Sequence, residues 1–129
     1  MCLIELLMAT HQTILVGEKK YSVNKLRELI TGPVIVVPIE KIVYNIHDQI
    51  WQDKEGKFSA ACVLINRFEP RFIKHYERIA YANMDYPILI TSHFKILDGY
   101  HRYNKAKLQS QPYINAIIVT KDVLAKAIM

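Results

Sequence analysis

The stretch Pro87-Ile88-Leu89-Ile90-Thr91, Ser92-His93, Phe94-Lys95-Ile96-Leu97, Asp98-Gly99 constrains the fold more than any other part of the chain. Two apolar runs joined by a short polar corner predict a β-hairpin. The residues after Gly99, Tyr100-His101-Arg102-Tyr103-Asn104-Lys105-Ala106-Lys107-Leu108, predict a helix entered through Asp98-Gly99. Asp98 is of the N-cap type, because its carboxylate can accept a bond from a free N–H of the first turn. Gly99 permits a sharp turn and leaves no Cβ in the way of a ligand. His101, Arg102 and Lys105 then fall on the first turns, beside unpaired N–H groups and the positive end of the helix dipole. Both features favour an anion, most often phosphate.

The rest of the chain is read around that unit. Thr13-Ile14-Leu15-Val16 predicts a short strand, with a turn at Gly17-Glu18-Lys19-Lys20 and a return at Tyr21. Ser22 is placed to cap a helix over 23–30 whose Val23, Leu26, Leu29 and Ile30 share a face, and Gly32-Pro33 stops it. The β-branched run over 33–38 predicts a buried strand. Its apolar pattern continues through Ile42, Val43 and Ile46 to Trp51, and 53–57 reads as a solvated turn. Ser59 is placed to cap a helix over 60–66. A second helix is predicted over 70–82, with Phe72, Ile73, Tyr76, Ile79 and Ala80 as its apolar stripe. After the motif helix come a loop at Gln109-Ser110-Gln111-Pro112, a strand over 113–120 and a short helix over 123–128. The sum is an α+β fold, a small mixed β-sheet packed with helices. It is expected as one domain over 1–129, with an N-terminal arm over 1–12 in which Met8 is an alternative start.

With 129 residues, 51% hydrophobic and 22% charged, the chain is long enough to bury an ordinary core. No linker, repeat or low-complexity tract divides it. The net charge of +5 suits an anionic partner: a nucleotide, a phosphorylated metabolite or nucleic acid. Cys2 and Cys62 form neither a metal-ligand spacing nor a disulfide framework, which fits a reducing, cytoplasmic setting. The run at 2–8 is too short and too acidic to span a membrane and lacks the basic start of a signal peptide. His11, His47 and His93 have no partner at ligand spacing, so no resident metal is expected.

The turn Asp98-Gly99-Tyr100-His101-Arg102, with the helix behind it and the apolar strand Asn115-Ala116-Ile117-Ile118-Val119, resembles the ParB/sulfiredoxin-like superfamily. Upstream, Arg78-Ile79 and Asp85-Tyr86-Pro87-Ile88 resemble small ParB-like proteins in particular. The resemblance covers about 33–119 and implies a ParB/sulfiredoxin-like fold with ligand phosphate at the start of the motif helix. Its chemistry varies with the turn. Sulfiredoxins carry Gly-Cys-His-Arg with a nucleophilic cysteine where Tyr100 stands here, which argues against sulfiredoxin chemistry. Chromosome-partitioning ParB proteins carry Gly-Glu-Arg-Arg and a following DNA-binding domain. Tyr100 and His101 replace the glutamate and the first arginine, and no such domain follows, which argues against a CTP-dependent clamp. Free-serine kinases of this fold carry Asp-Gly-His-His-Arg and an upstream glutamate as general base.

Asp98, Gly99, Tyr100, His101, Arg102 and Lys105 are therefore the candidate phosphate- or nucleotide-binding residues. Glu40, at the end of the 33–38 strand, is the candidate general base, and His75 and His101 are candidate proton carriers. His75 and Arg78, three apart on one helix face, can point towards the motif together, with Arg78 and Asp85 in support. Tyr86, Tyr100, Tyr103 and Tyr113 are expected near the site, as base-stacking or packing residues. The expected ligand is ATP, ADP or another nucleotide with Mg²⁺, or a phosphorylated small molecule, and the expected activity a phosphotransferase or nucleotide hydrolase. The competing readings are a DNA- or RNA-binding protein or nuclease, and a non-catalytic partner-binding module.

Overall fold

A computed structural model of the chain describes residues 13–16, 19–30 and 32–128. The expected arm over 1–12, with Met8, Cys2 and His11, and the turn at 17–18 lie outside the described residues.

Strands β1 (Thr13–Val16) and β2 (Lys19–Ser22) pair antiparallel as a two-stranded ribbon. Helix α1 (Val23–Leu29) follows directly, with the Ser22 hydroxyl accepting from the Lys25 N–H at 3.2 Å. Next come β3 (Ile35–Pro38), a 3₁₀ turn over Ile39–Lys41, and a hairpin of β4 (Trp51–Asp53) and β5 (Gly56–Phe58). Helices α2 (Ala60–Ile65) and α3 (Ile73–Ala80) lead to the hairpin of β6 (Ile88–Thr91) and β7 (Ile96–Asp98). Helix α4 (Tyr100–Leu108), β8 (Tyr113–Val119) and α5 (Lys121–Lys126) complete the order.

The central sheet has the order β3-β8-β6-β7. β8 pairs antiparallel with β3 and parallel with β6, so the sheet is mixed, as expected for an α+β chain. Alternate residues of a strand face opposite sides of a sheet, and β6 shows the consequence. Ile88 and Ile90 join Val37, Ile96, Ile114, Ala116, Tyr103 and Ala106 in one core, which α4 covers. Leu89, between them, joins Leu97, Val119, Leu26 and Ala127 in a second core, under α1 and α5. A third cluster, Phe58, Val63, Phe72 and Ile79, binds the β4–β5 hairpin to α2 and α3. Among the described residues, no helix is long and apolar enough to cross a membrane.

Three expectations need correction. The 33–38 run is not a buried strand: β3 is an edge strand, and Val36 is 65% exposed beside the buried Val37. The 70–82 helix shortens to Ile73–Ala80, because Glu69 to Phe72 close a turn first, with the Phe72 N–H donating to the Glu69 carbonyl at 2.9 Å. The solvated turn at 53–57 is the tip of the β4–β5 hairpin, whose three-residue strands are too short to show an alternating pattern.

Candidate functional site

The β7-to-α4 corner departs from its sequence reading in one respect. Asp98 does not cap the helix. The N-cap position belongs to Gly99, at φ 112°, and no side chain caps it. The N–H groups of Tyr100, His101 and Arg102 occupy the first helical positions, which have no intrahelical acceptor. The missing Cβ of Gly99 makes room for Ile88. A Cβ there would lie 2.5 Å from Ile88 Cγ2, so glycine is needed for α4 to seat against β6.

The Asp98 carboxylate is turned to two arginines instead. Arg27 Nη2, from α1, donates to it at 2.7 Å, and Arg102 Nη2 lies 3.6 Å away. Asp98 and Arg102 are each 7% exposed, so these charges balance each other out of water. Arg102 therefore begins the helix as one member of an Arg27–Asp98–Arg102 cluster, which fixes its direction.

His101 meets His75 of α3 and Trp51 of β4. The Trp51 ring stacks on His101 with centroids 4.7 Å apart and planes 17° apart, and lies 5.0 Å from His75. The two imidazoles are 5.9 Å apart and nearly parallel, at 16°. That separation is too small for opposite faces of the indole, so both lie on one side of it. Phe58 meets His75 edge-on at 5.1 Å. Under this cover, His75 Nδ1 and His101 Nε2 are buried with no hydrogen-bond partner among the described residues.

These surroundings hold both imidazoles neutral. Burial pushes His75 down to about 4, helped by the Arg78 charge and opposed by Asp53. Burial pushes His101 down to about 3, and His75, Arg78 and Arg102 push the same way. The sign of the stability effect follows. Both folded values lie below the unfolded value of about 6.5, so the unfolded chain takes up protons first as pH falls. The contribution is complete above about pH 6.5 and is lost as pH falls towards 4. With allowance for partial solvent screening, stability is expected to drop by about 2 kcal/mol from pH 7 to pH 5. Urea unfolding at the two values measures it, and equal midpoints would show that the imidazoles are not held neutral.

The remaining expected residues divide clearly. Arg78 is half-buried and acts on both histidines, as its spacing from His75 predicts. Lys105 donates to the Ala82 carbonyl at 2.9 Å, which ties α4 to the end of α3. Tyr100 packs inward: its hydroxyl donates to the Ile96 carbonyl at 3.2 Å, and its ring lies 5.2 Å from Tyr44. Tyr103 meets the other part of Tyr44 at 5.0 Å, edge-on, so both tyrosines serve packing. Burial pushes the Tyr44 hydroxyl up to about 12, against the bond it accepts from Asn104. Glu40 is exposed in the 3₁₀ turn, and among the described residues no hydrogen bond or ion pair joins it to the motif. Asp85 is exposed, its N–H donating to Asn83 Oδ1 at 2.9 Å. Tyr86 and Tyr113 are 43% and 58% exposed, Tyr113 opposite Pro38 of the edge strand. Among the described residues, no group of three or more His, Cys, Asp or Glu side chains is placed to hold a metal ion.

Sequence reasoning missed Trp51, Arg27, Tyr44 and Asn104. Trp51 is the single tryptophan and borders a charged turn, but nothing local links it to histidines 24 and 50 positions away. Asn104, 1% exposed, donates to the Tyr100 carbonyl at 2.8 Å within its own helix, a contact that i,i+4 spacing allows. In comparisons with family models, curated proteins and solved structures, nothing matches this chain.

Proposed function

We propose that this chain is a ParB/sulfiredoxin-like protein that binds a nucleotide or another phosphorylated ligand at the start of α4. One observation carries the reading: among the described residues, His75 Nδ1 and His101 Nε2 are buried without partners, and no side chain caps the helix that His101 begins. Buried polar atoms are normally satisfied, and such exceptions ask for a hydrogen-bond partner. A phosphate oxygen accepts from imidazole N–H and from helix N-terminal N–H groups alike. Arg78 and Arg102 add positive potential around the pair. The strand–helix–strand order of β7, α4 and β8 supports the family resemblance, and Mg²⁺ would enter with the nucleotide. In a phosphotransferase or nucleotide hydrolase of this design, His75 and His101 are the proton carriers and Glu40 would have to approach from outside the cluster.

A thermal-shift panel of ATP, ADP, CTP, GTP and NAD, with and without Mg²⁺, tests the proposal. A ligand present at about a hundred times its Kd should stabilise the fold by about 2.7 kcal/mol, a rise of several degrees. The rise, not the starting temperature, is compared in Arg102→Ala, since that change also disturbs Asp98. The rise is expected to shrink or vanish there. No rise in the wild type would sink the proposal and favour nucleic acid, whose binding would weaken steeply with salt, as the +5 net charge suggests.

A further inference from the structure

The two nitrogens sit under Trp51, and among the described residues the hairpin that carries Trp51 pairs only with itself. The β4–β5 ribbon is a separate two-stranded sheet, with no ladder to β3-β8-β6-β7. Its tip is held to the helical side by Arg71, which bonds Asp53 at 2.9 Å and lies 3.1 Å from Glu55. At its other end Trp51 is only partly buried.

Among the described residues, the charged groups that act on the histidines are mostly of one sign. From α3 comes Arg78, from α4 Arg102, and from β4 Asp53. Asp53 is already paired with Arg71, and the carboxylate nearest Arg102, Asp98, is already shared with Arg27. Trp51 and Phe58 supply apolar cover with no charge. Among the described residues, the carboxylate that acts on the pair is that of Asp53, already held by Arg71, so both rings stay neutral in the closed arrangement. An entering anion reverses that field and supplies a hydrogen-bond partner.

We infer that the His75–His101 pair takes up a dianionic phosphate group together with one proton from solvent, and that Trp51 moves off the pair to admit it. This rests on the reading of the site given above and adds the charge state of the ligand and the means of entry. The proton goes onto an imidazole nitrogen, which then donates to the anion as part of a charge-assisted bond. Apart from that N–H bond, whose proton solvent gives up, no covalent bond is made or broken. The ligand class is a phosphate monoester or terminal phosphate in its doubly ionised form.

Sulfate is the probe, because it stays fully ionised across the range, so any proton taken up is on the protein. Trp51, the single tryptophan, is the reporter. Sulfate is titrated into the full chain between pH 7.5 and 5.5, with fluorescence as the readout. Affinity is expected to tighten by about tenfold for each unit that pH falls, as linkage to one proton requires. Calorimetry in two buffers of different ionisation heat should count about one proton per sulfate. His75→Gln and His101→Gln, made separately, should each flatten the pH dependence. A slope that persists in both variants belongs to other histidines and overturns the inference. So does sulfate binding with no proton uptake, or with Trp51 emission unchanged. If neither variant folds, the wild-type proton count decides alone. Absence of binding by sulfate and by every nucleotide at all pH values overturns the site reading itself, whereas pH-independent binding overturns only the proton uptake.

Discussion

Gly99→Ala is expected to destabilise the fold by about 4 kcal/mol, from two separable sources. A non-glycine residue at φ 112° costs about 1–3 kcal/mol in backbone strain. The new methyl would also stand 2.5 Å from Ile88 Cγ2 and 2.8 Å from Ile88 Cβ, where neither side can give way without moving α4 off β6. Ile88 is fully buried in the core beneath α4, so that shift would propagate into the packing of Tyr103 and Ala106. Urea unfolding of wild type, Gly99→Ala, Ile88→Ala and the double variant separates the two sources. In the Ile88→Ala background the added cost of Gly99→Ala should fall to the strain alone, about 1–3 kcal/mol. Strict additivity would mean that the close approach to Ile88 is not what requires glycine.

Asp98→Ala is the second large effect, at about 3 kcal/mol or more. It would take from the buried Arg102 the carboxylate one helical turn before it and leave Arg27 turned towards it with the same charge. Arg27→Met should cost much less, about 1 kcal/mol, because Arg27 is a quarter exposed and the carboxylate would keep Arg102. Chemical unfolding of the two variants side by side gives the comparison. Equal costs would show that Arg27, not Arg102, is the partner that holds Asp98 in place. Asp98 thus supports the helix start from behind.

What the sequence showed well was local. Ser22 and Ser59 cap the helices they were expected to cap, because that bond spans three residues and needs only one side chain. The β6–β7 hairpin and the helix after it were legible for the same reason. Asp98 was assigned to the helix because a capping partner is always at hand, whereas Arg27 is 71 positions away and leaves no periodic trace. The 33–38 run was read as buried because β-branched composition reports strand formation, not whether a neighbour lies on both sides. Trp51 illustrates the general limit: its partners lie on two different helices, and only the tertiary fold brings all three rings together.

The position of β8 has a consequence for how the chain reaches this state. It lies between β3 and β6, so those two strands share no hydrogen bonds of their own. Until Tyr113 to Val119 arrive, β3 has no partner in the sheet and the β6–β7 hairpin stands with one side open. Pairing Ile35 with Ala116 closes a loop over most of the chain, an entropic cost that comes before most of the cores form. The sheet is therefore complete only once β8 is in place. β3 belongs to the sheet only through β8.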